Sequence, residues 1–95
     1  MERSEVRKPV VAGQFYPSGA PALKKQIESF IDKDAQKVDV IGCMLPHAGY
    51  TYSGRVAAET VSQIKIKDKV ILLGPNHTGF GEPFSIMTAG SWQTP

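Results

Sequence analysis

Cysteine is almost missing from this sequence, Cys43 being the one thiol in 95 residues. A single thiol closes no internal disulfide and has no CxxC partner for a structural zinc site, which excludes a disulfide-stapled scaffold and indicates a reducing compartment. Cys43 lies in an apolar, strand-like run and is expected to be inert core. No apolar run approaches a membrane-spanning length, and Met1 to Lys8 is charged, without the apolar stretch of a signal peptide. The expectation is a cytoplasmic protein with no membrane partner. An excess of charge of one sign is lacking too. Eleven Lys and Arg against nine Asp and Glu leave +2, and Lys65, Lys67 and Lys69 flank Asp68 without forming a basic stripe interleaved with aromatics. Nucleic acid is therefore not an expected partner.

What is present is ordinary globular material, 41% hydrophobic and 21% charged, without repeats or low-complexity stretches, and enough for one domain at most. Residues 1–9 read as a flexible arm. Gly13 to Gly19 is turn-rich and carries Phe15 and Tyr16, two aromatics too large to leave in water without a packing or binding role. From Pro21 to Lys33, Leu23, Ile27, Phe30 and Ile31 fall on one helical face, with Pro21 in the first turn and Ser18 as the cap. Val38 to Leu45 is an apolar, partly β-branched run, the mark of a strand buried on both faces. A second helix is expected from about Gly54 to Ile66, capped by Ser53, and a second buried strand from Lys69 to Leu73. The alternation over 84–89 suggests one more strand. Strand, helix and strand in this order make a βαβ unit, so the fold class is α/β.

The chain has two histidines, and the βαβ reading relates them. A right-handed crossover returns the second strand parallel to the first, so their C-terminal ends share one sheet edge, where open α/β sheets bind ligands. His47 follows the first strand by one proline, and His77 follows the second by Gly74, Pro75 and Asn76. Two imidazoles there can ligate a divalent metal, for which iron, copper and zinc are chemically suited, or can act as a general acid and base. Nearby, Gly49 and Gly54 allow close approach to a ligand, Tyr50 and Tyr52 offer phenolic hydroxyls, and the helix start at Ser53 favours an anion.

The ordered motifs Arg7-Lys8-Pro9-Val10-Val11-Ala12-Gly13-Gln14-Phe15-Tyr16-Pro17, Pro46-His47-Ala48-Gly49-Tyr50-Thr51-Tyr52-Ser53-Gly54, Gly74-Pro75-Asn76-His77-Thr78-Gly79 and Trp92-Gln93-Thr94-Pro95 resemble those of the Memo family. Its bacterial and archaeal members are known as AmmeMemoRadiSam system protein B. The resemblance implies a fold similar to the class III extradiol dioxygenases, which hold non-haem iron with two histidines and a carboxylate. It makes His47 and His77 the first two metal-type ligands and Tyr52 a catalytic cleft tyrosine. Phe15, Tyr50, Tyr52 and Asn76 are expected to line the substrate cleft.

The family's further site residues, an aspartate, a histidine and a cysteine, lie downstream in members about three times as long. Cys43 does not correspond to that cysteine. The resemblance thus implies that residues 1–95 are the N-terminal portion of a longer α/β domain. The expected activity is a metal-dependent oxidoreductase of dioxygenase type using Fe(II) or copper, with a small-molecule substrate and a radical-SAM partner. The alternative is a binding module that takes a peptide or phosphorylated ligand in the same cleft. Two ligands hold metal weakly, so these 95 residues alone are expected to be inactive, and their uncovered apolar edges to favour self-association.

Overall fold

The computed structural model describes residues 5–95, so the first four residues of the expected arm lie outside the described residues. Val6–Arg7 forms a short strand, β1, that pairs in parallel with Ser91–Trp92, β2, in the register Val6 to Ser91 and Arg7 to Trp92. Ser91 N donates to Glu5 O at 2.8 Å and Gln93 N to Arg7 O at 2.8 Å. The Arg7 guanidinium stacks 4.5 Å from the Trp92 ring centroid, and Trp92 Nε1 reaches Met87 Sδ at 2.9 Å. Gly90 turns the chain into β2 at φ +96°, and a Cβ there would stand 2.6 Å from Glu5 O, so only glycine fits.

The first helix, α1, runs Ala20–Phe30, shorter than the expected 21–33 and capped at Gly19 without a side-chain bond, so Ser18 is not the cap. It stops because Ile31 adopts extended backbone, after which Asp34 N bonds to Asp32 Oδ1 at 3.0 Å in a local turn. A π-helical turn, Tyr50–Gly54, leads into the second helix, α2, Arg55–Ser62. Ser53 does not cap α2. Its hydroxyl donates back to Ala48 O at 3.0 Å. The helix ends four residues before the expected Ile66 because strand-type pairing takes over: Val38 N donates to Gln63 O at 2.9 Å and Lys65 N to Val38 O at 3.0 Å.

α1 packs against the head of α2 through Phe30 and Gly54, the last residue of the π-helical turn, where an added Cβ would lie 2.8 Å from the Phe30 ring, while Arg55 sits 5.1 Å from that ring's centroid. Leu23 is the buried apolar side chain among the described residues. Ser62, 2% exposed, ties the connection after α1 to α2. Its hydroxyl donates to Ala58 O at 2.6 Å and accepts from Asp32 N at 2.9 Å, and its carbonyl accepts from Lys37 Nζ at 2.9 Å. Replacing Ser62 with Ala strands the Asp32 amide and should cost about 1 kcal/mol, because the connection is near enough to solvent for water to stand in partly. Urea unfolding of the two proteins measures that cost, and amide exchange should show residues 31–37 losing protection.

Helices and a small parallel sheet thus give a mixed α/β fold, but the three expected strands 38–45, 69–73 and 84–89 form no ladders and are irregular segments with bends at Ile41, Lys69, Phe84 and Ala89. Val38, at the head of the first run, makes an isolated parallel bridge with Ile64, which lies between α2 and the second run, next to an exposed ion pair of Lys67 with Asp39. The apolar side chains of the three segments find no covering layer here: Ile41, Met44, Ile71, Leu72, Leu73, Phe84 and Ile86 are exposed, and so is Cys43, against the expectation of a core thiol. The radius of gyration, 15.2 Å, exceeds the roughly 12 Å of a compact domain of this length.

Candidate metal centre

His47 and His77 meet. Their Nε2 atoms are 3.1 Å apart and their ring centroids 5.1 Å apart, with the rings tilted by 46°. No extended ladder brings them together, so the placement falls to the loop that carries each ring. On the first loop, Pro46 and His47 run into Ala48, whose carbonyl is held by the Ser53 hydroxyl, and into Gly49, whose carbonyl accepts from Tyr52 N at 2.9 Å and Ser53 N at 3.0 Å. Those two amides are spent on the turn. On the second loop, Asn76 Oδ1 accepts from Thr78 N at 3.2 Å, Thr78 Oγ1 at 3.1 Å and Gly79 N at 3.0 Å, while Nδ2 donates to Phe80 O at 2.8 Å. The Asn76 amide is engaged in shaping the loop that holds His77.

The expected cleft aromatics separate into two groups. The 11–16 turn closes on itself through Gly13 N to Tyr16 O at 2.7 Å and Phe15 N to Val11 O at 3.0 Å, then docks on the histidine loop through Tyr50 N to Phe15 O at 2.7 Å. Tyr16 and Tyr50 rings pack at 5.3 Å with a 45° tilt, and Tyr50 is half-buried. Phe15 and Tyr52 remain exposed, at 52% and 87%. An apolar groove of about 270 Å³ is lined by Ile27, Phe30, Leu45, Pro46, Tyr50 and Val61 among others, Pro46 being the chain neighbour of His47. Sequence reasoning missed this groove, although the helical face of Ile27, Phe30 and Ile31 was its signal.

A metal test of the pair is geometric. Two nitrogens bound to one ion at roughly 2.0–2.1 Å and roughly 90–109° stand roughly 2.8–3.4 Å apart. The observed 3.1 Å falls inside that span. The same distance suits an imidazole hydrogen bond in which one ring donates and the other accepts. Both rings are exposed, and no group of three His, Cys, Asp or Glu side chains converges among the described residues. The two histidines therefore fit two positions of a metal shell and leave the others to further ligands.

The family profile described as Memo-like protein matches residues 7–95. A MEMO1 family protein of Aquifex aeolicus is 44% identical over 91 residues, covering 95% of this chain and 34% of the relative. One from Methanococcoides burtonii is 45% identical over 91 residues, with the same coverage of 95% and 34%. The MEMO1 family protein MK0963 of Methanopyrus kandleri is 41% identical over 108 residues, covering 100% of this chain and 37% of the relative. No solved structure matches significantly. The chain spans about a third of the length of these curated relatives. With the profile running through both histidine loops and nearly the whole sequence, the chain belongs to the Memo-like protein family.

Proposed function

We propose that His47 and His77 are two ligands of a divalent metal centre, iron(II) or copper, in an oxidoreductase related to the class III extradiol dioxygenases. The observation that carries this reading is the 3.1 Å approach of the two Nε2 atoms, a separation matched to adjacent ligands on one ion. Bound there, such a metal supplies redox chemistry and Lewis acidity toward substrate or dioxygen. The protein's own part is preorganisation. Asn76 fixes one loop and the Ser53 to Ala48 bond the other, so the imidazoles are already together before an ion arrives. Tyr52 and Phe15 are exposed, and in this reading Tyr52 offers its hydroxyl to a substrate and Phe15 a ring. The ligands beyond the pair come from outside the described residues. A radical-SAM partner comes with the family resemblance.

A non-catalytic reading is favoured by the apolar groove beside Pro46, which suits an apolar peptide side chain better than a phosphorylated one. The two readings part on metal. Calorimetric titration with Zn²⁺, a redox-inert probe, should show uptake by the 95-residue chain and none by the His47→Ala/His77→Ala variant, with anaerobic Fe(II) following the same pattern. Equal uptake by both proteins would sink the metal reading.

A further inference from the structure

We propose that the turn over residues 11–16 is a brace that positions His47 for metal, with Tyr16 as its positioning residue. The inference rests on the metal reading of the histidine pair and adds a side chain that acts through His47 without touching an ion. The loop that carries His47 is shaped from within by bonds that travel with it, Ser53 Oγ to Ala48 O, and Tyr52 N and Ser53 N to Gly49 O. These set its curvature but not where it stands. The bond from Tyr50 N to Phe15 O, at 2.7 Å, differs in kind because it ties the loop to a distant part of the chain. Ala48 and Gly49 alone separate His47 from that anchor. A ligand constellation tolerates about 0.5 Å of misplacement, so the anchor bears directly on the 3.1 Å spacing of the imidazoles.

The sequence builds this turn to be rigid. Gly13 takes φ +85°, its N–H reaches Tyr16 O at 2.7 Å, and Gln14 N and Phe15 N both donate to Val11 O at 3.0 Å. Backbone then lies on backbone: a Cβ on Gly49 would stand 3.5 Å from Phe15 O and 3.6 Å from Phe15 Cα. The two aromatics of the turn divide the work. Phe15 keeps its ring exposed, whereas Tyr16 is half-buried and sets its ring 5.3 Å from that of Tyr50 with a 45° tilt. Tilted aromatic pairs at this separation attract beyond the area they bury. Tyr16 follows the residue that accepts and Tyr50 is the residue that donates, so ring contact and hydrogen bond close the same junction.

Zinc calorimetry together with amide exchange tests this on the 95-residue chain. Coupling between two events is reciprocal, so a brace that favours zinc is itself favoured by zinc. Exchange of the wild-type Tyr50 amide should therefore slow when zinc binds. Tyr16→Ala should weaken zinc binding roughly tenfold, the lower end for loss of an outer-shell partner. Tyr16→Phe keeps the ring and should restore wild-type affinity, with protection in α1 and α2 the same in all three proteins. Equal zinc affinity in Tyr16→Ala, or a Tyr50 amide whose exchange ignores zinc, would overturn the brace while leaving the histidine pair as a metal site. Tyr16→Phe as weak as Tyr16→Ala would overturn the ring contact as its basis. Absence of zinc uptake by the wild type would overturn the metal reading and the brace with it. Should Tyr16→Ala lose its helices, the exchange measurement on the wild type decides alone.

Discussion

Leu23→Ala should abolish the cooperative unfolding transition of this chain at room temperature. Leu23 is the buried apolar side chain that α1 contributes, and truncating a buried leucine costs about 2–5 kcal/mol. A typical domain has about 0.05–0.15 kcal/mol of stability per residue, or about 5–14 kcal/mol at this length. This chain should fall below that range, since its apolar runs lie in water and its radius of gyration, 15.2 Å, exceeds that of a compact domain of this length. The lost leucine then removes most of what holds the helix pair. Far-UV circular dichroism and amide exchange should show protected amides in α1 and α2 of the wild type and none in the variant. The comparison is Leu73→Ala, at a side chain 93% exposed, which should change stability by less than about 0.5 kcal/mol. If both variants unfolded like the wild type, the helix pair would not be the core.

The helices were legible because a period of 3.6 is written locally: Leu23, Ile27 and Phe30 mark a face whatever the rest of the chain does. Their ends were not, since Ile31 and Ile64 leave helical backbone for distant partners, Ser62 with Asp32 and Val38 with Ile64. Residues 38–45 and 69–73 carry the composition of buried strands, but composition states what a segment is suited to bury and not what stands beside it. About two thirds of the relatives' length has no counterpart among these 95 residues. The nearness of the two histidines was expected from the order strand, helix, strand and is observed at 3.1 Å, although it is reached through two shaped loops and without a ladder between the two runs. The pairing of Val6–Arg7 with Ser91–Trp92 left no local trace, because two-residue strands have no periodicity to read. Cys43 was misplaced for the same reason as the strand that carries it.

Asn76→Ala should weaken zinc binding by roughly 10- to 100-fold while leaving the helices intact. One side-chain oxygen takes three hydrogen bonds, from Thr78 N, Thr78 Oγ1 and Gly79 N, and the amide nitrogen donates to Phe80 O. His77 is enclosed by that network without belonging to it. Each exposed bond contributes about 0.5–1.5 kcal/mol, so loss of the set releases the loop by a few kcal/mol at most. A contact between two exposed imidazoles is worth about 1 kcal/mol, too little to restore the geometry unaided. The ordering that Asn76 provides in advance must then be met at the moment of binding, and affinity falls accordingly. Asn76→Asp separates the parts of the network: it keeps the accepting oxygen and loses the donor to Phe80 O, so its affinity should fall between those of wild type and Asn76→Ala. Circular dichroism of all three should coincide, since the loop lies apart from α1 and α2. A normal zinc titration in Asn76→Ala would mean that Pro75 and the neighbouring backbone position His77 unaided, and Asn76 would return to the role the sequence suggested, a side chain facing the cleft.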